Sequence, residues 1–297
     1  MIPNNQVFEP DQAPAFEKRV FRDINPLSGS RKLRILGMPN AAMRQIHQRL
    51  IKYLRIQKIK LPHATCYKLG DGPRKNVEPH RKNRFFYLVD IHNAYGSVQL
   101  EKLVQVLLLF DAEYLMNKQR TSETLEKYCF FPNKKPAGLV VGAPASPILF
   151  NLYAGALLDQ RLSAFCRQWH IVYTRYLDDL TFSSRRPIGR EKRKLIRKII
   201  AEAGLSLSHH KAKVSDLKKT PIVVTGIGIA HGGRLFLPRH FLRRLRGLIH
   251  ADLKKPRVDP AVIRGMMGVF WSIRPVKFNA SEQKLVDLYL KWQKTRL

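Results

Sequence analysis

Two neighbouring carboxylates, Asp178 and Asp179, stand between two β-rich apolar runs, Ile171–Tyr173 and Leu180–Phe182. That pattern reads as a hairpin with acids at its tip. Adjacent Asp side chains repel each other, and a turn that needs only polarity more often uses Asn, Gly or Ser. The pair becomes favourable when a divalent cation lies between it and a third carboxylate. Hard ions such as Mg²⁺ take oxygen ligands, and two of them about 3.5–4 Å apart can clamp the attacking and leaving oxygens of a phosphoryl transfer. A solvated turn is the competing reading, and a motif this short does not decide between them.

The third carboxylate and the elements around it come from the rest of the chain. Phe85-Phe86-Tyr87-Leu88-Val89-Asp90-Ile91 is an apolar run ending in an acid. It predicts a strand covered on both faces, with Asp90 at its carboxyl end, where site residues of sheets commonly lie. A helix is expected over 100–116. The small-residue turn Gly142-Ala143-Pro144-Ala145-Ser146-Pro147 leads into a buried helix over 148–162, and small residues before a helix N-terminus let a ligand approach the backbone. A basic amphipathic helix is expected over 190–203, stopped by Gly204. Val223 and Val224 with Ile227 and Ile229 form a strand pair around Thr225 and Gly226. Nearer the N-terminus, residues 1–30 look irregular, and Lys32–Leu36 reads as a short extended run. Asn40 is a fair N-cap for a helix over 41–56. Residues 61–83 read as a basic loop. From Arg239 onward the chain looks helical, with Arg239, Arg243, Arg244 and Arg246 spaced to share one side. Composition and element order shift near residue 232, the best candidate for a domain boundary.

The charge balance points to a polyanion. Lys and Arg number 54 against 22 Asp and Glu, a formal net charge of +32. Folding does not require such an excess and self-repulsion opposes it. The 44% hydrophobic content supplies a real core and argues against a disordered chain. Cys66, Cys129 and Cys166 lie far apart, without metal-ligand spacing, and an odd count suggests reduced thiols used in packing. Residues 1–14 contain no apolar stretch of signal-peptide length, and no run approaches 18 uncharged apolar residues. A cytoplasmic protein without a membrane partner is the expectation.

With Asp90, the Gly142 turn and Tyr176-Leu177-Asp178-Asp179 in that order, the chain resembles a reverse transcriptase, and in particular the bacterial retron-type enzymes. The Tyr-x-Asp-Asp box carries the likeness most specifically. Asp90-Ile91-His92-Asn93-Ala94-Tyr95 resembles the first catalytic motif, and Gly204-Leu205-Ser206-Leu207 leading to Lys211 resembles a segment that supplies a nucleotide-side lysine. Asn76-Val77-Glu78-Pro79-His80 is similar to the Asn-x-x-x-His segment of retron enzymes, and Val224-Thr225-Gly226 to their Val-Thr-Gly box. Two positions depart from the pattern: Val141 stands where many relatives carry Gln, and Val77 where retron enzymes usually have Ala.

The resemblance implies an α+β right-hand polymerase fold. Residues 1–30 would form an N-terminal segment, 31–232 fingers and palm with an antiparallel sheet, and 233–297 a helical thumb. It implies an RNA-directed DNA polymerase that extends a primer hydroxyl with deoxynucleotides by two-metal nucleotidyl transfer. Asp90, Asp178 and Asp179 would be catalytic and, with the Ile91 carbonyl, hold two Mg²⁺, for which Mn²⁺ could substitute. Tyr95, Gly142, Ala143, Lys211, Lys32, Arg34 and Lys68 would meet the nucleotide. Tyr176, Pro144, Ser146, Arg239, Arg243 and Arg246 would meet primer and template. Asn76, His80, Val224, Thr225 and Gly226 are candidates for RNA recognition, although a structural role is as well motivated for Asn76 and His80. Partners would be a structured non-coding RNA, its DNA product and an accessory effector protein, in antiphage defence. The alternatives are a non-retron defence or group II intron-like reverse transcriptase, and a non-catalytic nucleic-acid-binding protein on the same fold.

Overall fold

The computed structural model describes residues 13–24, 31–68, 70–110, 118–131, 138–208, 212–256, 258–273 and 278–296. Strand β1 (Phe16–Ile24) pairs antiparallel with β2 (Arg31–Pro39) in a two-stranded ribbon. Part of the segment expected to be irregular is therefore a strand. Val20, Phe21, Leu33 and Ile35 are all exposed, so neither face of the ribbon is fully covered and the alternation that marks a half-buried strand is missing. Helix α1 (Ala41–Ile56) begins as expected, with Asn40 Oδ1 accepting from the Met43 N–H at 2.9 Å. The expected loop contains a short helix, α2 (Pro73–Val77), and a 3₁₀ turn at Glu78–His80. Pro73 opens α2 because its fixed φ suits a first helical position, and so short a helix carries no readable period.

The central sheet has the order β4-β5-β3-β6, every pair antiparallel. Its strands are β3 (Phe85–Asp90), β4 (Val172–Tyr176), β5 (Asp179–Ser184) and β6 (Lys213–Asp216). Helices α3 (Leu100–Phe110) and α4 (Lys118–Cys129) precede α5 (Ser146–Ala154). The expected helix over 148–162 belongs to a longer run in which a π-helical turn, Gly155–Asp159, joins α5 to α6 (Gln160–Gln168). Helix α7 (Arg190–Glu202) ends at Gly204, whose φ of +79° is left-handed. There the Leu205 N–H reaches back to the Ile200 carbonyl at 3.2 Å.

Alternation along β3 explains its continuous apolar sequence. Tyr87 and Val89 face a first core with Leu149, Leu158 and Phe182, whereas Phe86 and Leu88 face a second. The sheet is covered on both sides, as the run predicts. The second core joins β7 (Ile222–Val224), β8 (Ile227–Ile229) and β9 (Leu235–Phe236) to three helices, α8 (Arg239–Lys254), α9 (Pro260–Ser272) and α10 (Ala280–Lys294). Buried Asp252 ties α8 to the end of α10 by accepting from Trp292 Nε1 at 2.8 Å and from the Arg296 guanidinium. The boundary expected at residue 232 falls inside the β7–β9 sheet, and the core beneath it also draws on Val77, Phe86 and Leu217.

His80 locks α2 and its 3₁₀ turn onto the sheet. It is fully buried, with Nδ1 2.6 Å from Ser183 Oγ and Nε2 2.8 Å from Thr174 Oγ1. Ser183 Oγ accepts from Asn83 Nδ2, and the Thr174 hydroxyl donates to the Asn76 carbonyl. Hence Ser183 gives its proton to Nδ1, and Nε2–H donates to Thr174, which is a neutral imidazole. Burial lowers the His80 pKa to about 3 from 6.5. With the folded value depressed, its contribution is complete above pH 6.5 and is lost as pH falls toward 3. Between pH 7 and 5 the protein should lose about 2 kcal/mol through His80 alone, with buried His47 adding in the same direction. In denaturant titrations His80→Asn should lower stability at pH 7 and lose correspondingly less on going to pH 5. An unchanged pH slope would contradict this reading of the imidazole.

Candidate active site

Strand register brings the carboxylates together. Asp90 lies directly opposite Asp179 at the end of the β3–β5 ladder, and Tyr176 opposite Asp179 across β4–β5. Directly opposed residues project to one face, so Tyr176, Asp179 and Asp90 form a row across the sheet. Asp178 belongs to the two-residue turn Leu177–Asp178, and its carbonyl accepts from the Ile91 N–H at 2.9 Å. The first turn residue, Leu177, has φ of +54°, a conformation that glycine normally supplies in two-residue hairpins. The segment after Gly204 then fixes Asp90 from the other side. Ser208 donates its N–H to the Asp90 carbonyl at 2.8 Å and its hydroxyl to Asp90 Oδ1 at 2.9 Å.

The carboxylate row opens into a cleft of about 230 Å³ lined by Leu88, Asp90, Asp179, Thr181, Val224 and Thr225. Thr225 (φ +45°) and Gly226 (φ +85°) both take the positive φ of a type I′ hairpin between β7 and β8. Their turn is tied to the sheet through Asn76, whose Nδ2 donates to Thr225 Oγ1 at 3.3 Å. Asn76 and His80 are fully buried and bonded internally. Neither presents a side chain to an RNA, and both hold the cleft wall instead. Val224 is buried as well, which leaves Thr225 and Gly226 as the accessible part of that box.

Tyr95 packs edge-on against Phe150 with ring centroids 5.7 Å apart. Its hydroxyl is pushed up to about 12 by burial and by the nearby Asp178 charge, so it stays protonated beside the carboxylates. Gly142 has φ of +100° and is exposed. The Val141 carbonyl beside it accepts from Gly37 N at 2.7 Å, which anchors the β1–β2 ribbon to this turn. Pro144 is half-buried. Ala143 and Ser146 are buried, and Ser146 donates its hydroxyl to the Val140 carbonyl at 2.6 Å, so their side chains support the turn rather than meet a substrate. Lys68 is exposed, two residues beyond Cys66, whose Sγ accepts from the Leu177 N–H. Lys32 and Arg34 lie on β2, their side chains outside the described residues, as is Lys211 altogether. In α8, Arg239 and Arg243 are exposed, whereas Arg246 is half-buried and donates to the Ser281 carbonyl at 2.8 Å. Of the three arginines expected to meet primer and template, Arg246 is therefore also bonded within the chain. Arg246 borders the apolar stripe of Leu245 and Ile249, where the start of α10 meets it.

The donor set suits a hard cation. Asp90, Asp178, Asp179 and the Ile91 carbonyl, all at one end of the β3–β5 ladder, would offer only oxygen ligands. Among the described residues no three His, Cys, Asp or Glu side chains form a ready-made metal group. Mg²⁺ commonly binds through one or two carboxylates, with waters and substrate phosphates completing its shell, rather than in an all-protein cage.

The sequence reading missed the support beneath the turn. Arg175 is fully buried and bonded to Asp159, Asn151 and the Leu177 carbonyl. The available signal was a pair of opposite charges, Arg175 in a β-rich run and Asp159 in an Ala/Leu-rich one. Charges within such apolar segments need partners.

Comparison with known proteins agrees with this geometry. A family model described as reverse transcriptase (RNA-dependent DNA polymerase) matches residues 23–229. The Retron Ec83 reverse transcriptase of Escherichia coli is 28% identical over 268 residues, covering 87% of this chain and 84% of that one. The Retron Mx65 reverse transcriptase of Myxococcus xanthus is 26% identical over 237 residues, covering 76% of this chain and 55% of its own length. Among solved structures, telomerase from Candida albicans, in complex with a fragment of telomeric RNA, superposes with a TM-score of 0.54 at 11% identity. Apo telomerase from Candida tropicalis gives a TM-score of 0.52, also at 11% identity. The chain spans 55% and 54% of those two structures, and the likeness to them is one of fold. Reverse transcriptases generally use divalent metal ions. Among the described residues no helix is long and apolar enough to cross a membrane. A sheet that ends in opposed carboxylates, a family match across most of the chain and relatives that are retron enzymes agree: the chain belongs to the reverse transcriptase family, as an RNA-directed DNA polymerase of the retron type with a right-hand polymerase fold.

Proposed function

We propose that the protein extends a primer hydroxyl on a structured non-coding RNA with deoxynucleotides, using Asp90, Asp178 and Asp179 with the Ile91 carbonyl to hold two Mg²⁺ ions. The observation that carries this reading is the direct opposition of Asp90 and Asp179 at the mouth of a cleft walled by the Thr225 turn. The chemistry supplied by the bound cations is activation of the primer hydroxyl and neutralisation of the triphosphate and departing pyrophosphate. Asp90 is oriented for this by Ser208. The exposed Gly142 backbone and Lys68 flank the nucleotide, with Lys32, Arg34 and Lys211 as further candidates.

Tyr95, protonated and close to Asp178, lies under the sugar and excludes a 2′-hydroxyl. Thr225, Gly226, Tyr176 and Pro144 border the primer end. Residues 233–297 act as a thumb, with Arg239 and Arg243 gripping duplex phosphates. An A-like duplex offers mainly phosphates and 2′-hydroxyls, so this grip is sequence-independent. The product is RNA-linked single-stranded DNA, made in the cytoplasm for antiphage defence together with an accessory effector protein. RNA covalently joined to DNA in the purified protein is the direct test of the product.

Asp178→Asn should reduce extension of a primed RNA by on the order of a thousandfold, because charge stabilisation by bound metal is worth several kcal/mol. RNA affinity should hold, since it derives from many dispersed Lys and Arg side chains. Activity near wild type would remove Asp178 from the site. Tyr95→Val should raise the ribonucleotide-to-deoxynucleotide ratio of kcat/KM by about 10–100-fold, the scale expected when one steric clash is removed. An unchanged ratio would make Tyr95 a packing residue. Arg239→Ala with Arg243→Ala should weaken all duplexes alike and flatten the slope of log K against log salt by about 0.7–0.9 for each phosphate no longer neutralised. A salt titration with an unaltered slope would mean that the thumb does not grip there.

A further inference from the structure

On β4, Tyr176 shares the face of Asp179, so its neighbour Arg175 points to the opposite, helical side of the sheet. Arg175 lies there with none of its surface exposed. Nε donates to Asp159 Oδ1 at 2.9 Å and Nη2 to Asp159 Oδ2 at 2.7 Å, a two-pronged pairing. Nη1 donates to Asn151 Oδ1 at 2.7 Å and, at 3.2 Å, to the Leu177 carbonyl in the turn that carries Asp178. The Tyr173 hydroxyl, kept protonated by burial and by the Asp159 charge, donates to Asp159 Oδ1 at 2.7 Å. Leu177 is thereby fixed at both polar groups of its backbone. Its carbonyl accepts from Arg175, and its N–H is directed at Cys66 Sγ at 3.2 Å.

That fixation has a purpose. At φ of +54° Leu177 occupies the left-handed region, which a leucine does not favour. Such a conformation persists only where its surroundings over-determine it, and it concentrates at functional sites. A buried ion pair is in general a poor device for stability alone, since well-packed apolar residues of similar volume often serve as well. What apolar residues cannot do is bond a carboxylate, an amide and a turn carbonyl at once, which the planar five-donor guanidinium does. Asp159 is brought into range by the π-helical turn that closes α5, and such turns often mark functional sites. Because α5 starts at the Gly142 turn, the same bonds tie the nucleotide side of the site to the carboxylate side.

We propose that Arg175 is a positioning residue for the polymerase reaction: held by Asp159 and Asn151, it clamps the Leu177 carbonyl and so sets the backbone that presents the Asp178 carboxylate. This rests on the reading of Asp178 as catalytic.

The test is Arg175→Lys in the full chain, beside Asp178→Asn and Arg296→Lys. Lysine keeps the charge opposite Asp159 but cannot bond all three partners. Arg296 pairs with buried Asp252, away from the turn. Single-nucleotide incorporation per folded molecule should fall about 10–100-fold in kcat for Arg175→Lys, as expected for a small misplacement of a reacting group. KM for the nucleotide and Kd for RNA should change less than about threefold, since Arg175 touches no substrate. Arg296→Lys should lower Tm and leave kcat at the wild-type value. Adding Leu177→Gly to Arg175→Lys should recover several-fold in kcat, because glycine adopts the left-handed turn unaided.

Wild-type kcat in Arg175→Lys, an equal kcat loss in Arg296→Lys, or no recovery with Leu177→Gly would each overturn the proposal. If Arg175→Lys does not fold, Arg175→Met with Asp159→Leu, which removes the pair as a unit, takes its place under the same criteria. Full activity in Asp178→Asn would overturn the reading of the site itself, whereas an inactive Asp178→Asn beside a fully active Arg175→Lys would overturn the positioning role alone.

Discussion

The register of β3 against β5 is the constraint on which the site depends. Side chains alternate strictly along a strand, so a slip of one residue would carry Asp90 to the opposite face from Asp179. The register is held because both faces of β3 are committed. Tyr87 and Val89 belong to one core, Phe86 and Leu88 to the other, and a slip would exchange every one of them. The end of the ladder is pinned twice more, by the Ile91 N–H bond to Asp178 and by the Ser208 bonds to Asp90. Packing of apolar residues thus sets where Asp90 and Asp179 stand relative to one another.

Around that sheet the molecule places its catalytic candidates at strand ends and its rigid devices beneath them. The cleft wall is a hairpin whose turn is fastened by Asn76, and the segment bearing Asn76 is locked by His80. The Gly142 turn is fastened by Ser146 and by the ribbon bond at Gly37. In each case a buried polar group is fully used within the chain, which rigidifies the surface in front of it. The excess positive charge lies on outer faces such as those of α7 and α8, where it attracts a polyanion without burdening the core.

Much of this was legible in the sequence. The order of Asp90, the Gly142 turn and Asp178–Asp179, the N-cap at Asn40 and the stop at Gly204 all depend on local chemistry that a chain displays in order. Part of β2 is legible as the extended run Lys32–Leu36, whereas β1 was hidden because neither face of the ribbon is buried enough to impose alternation. Helix α2 was too short to show a period. The bond of Arg246 to Ser281 was not legible, because spacing places Arg246 with Arg239 and Arg243 while the bond depends on how α10 packs. Asn76 and His80 could be singled out but not assigned, since burial is a tertiary property. The Arg175–Asp159 pairing was hidden for the same reason, as its partners are brought together by the π-helical turn.

The most direct test of the account is to count bound Mn²⁺ by electron paramagnetic resonance on the protein with a primed RNA and a non-reactive deoxynucleotide analogue. Opposed carboxylates acting as ligands predict about two tightly bound ions in the wild-type complex. Asp90→Asn should lose at least one of them while still holding the RNA. An unchanged ion count in Asp90→Asn, or no tight ion in the wild-type ternary complex, would contradict the claim that strand register assembles a metal site.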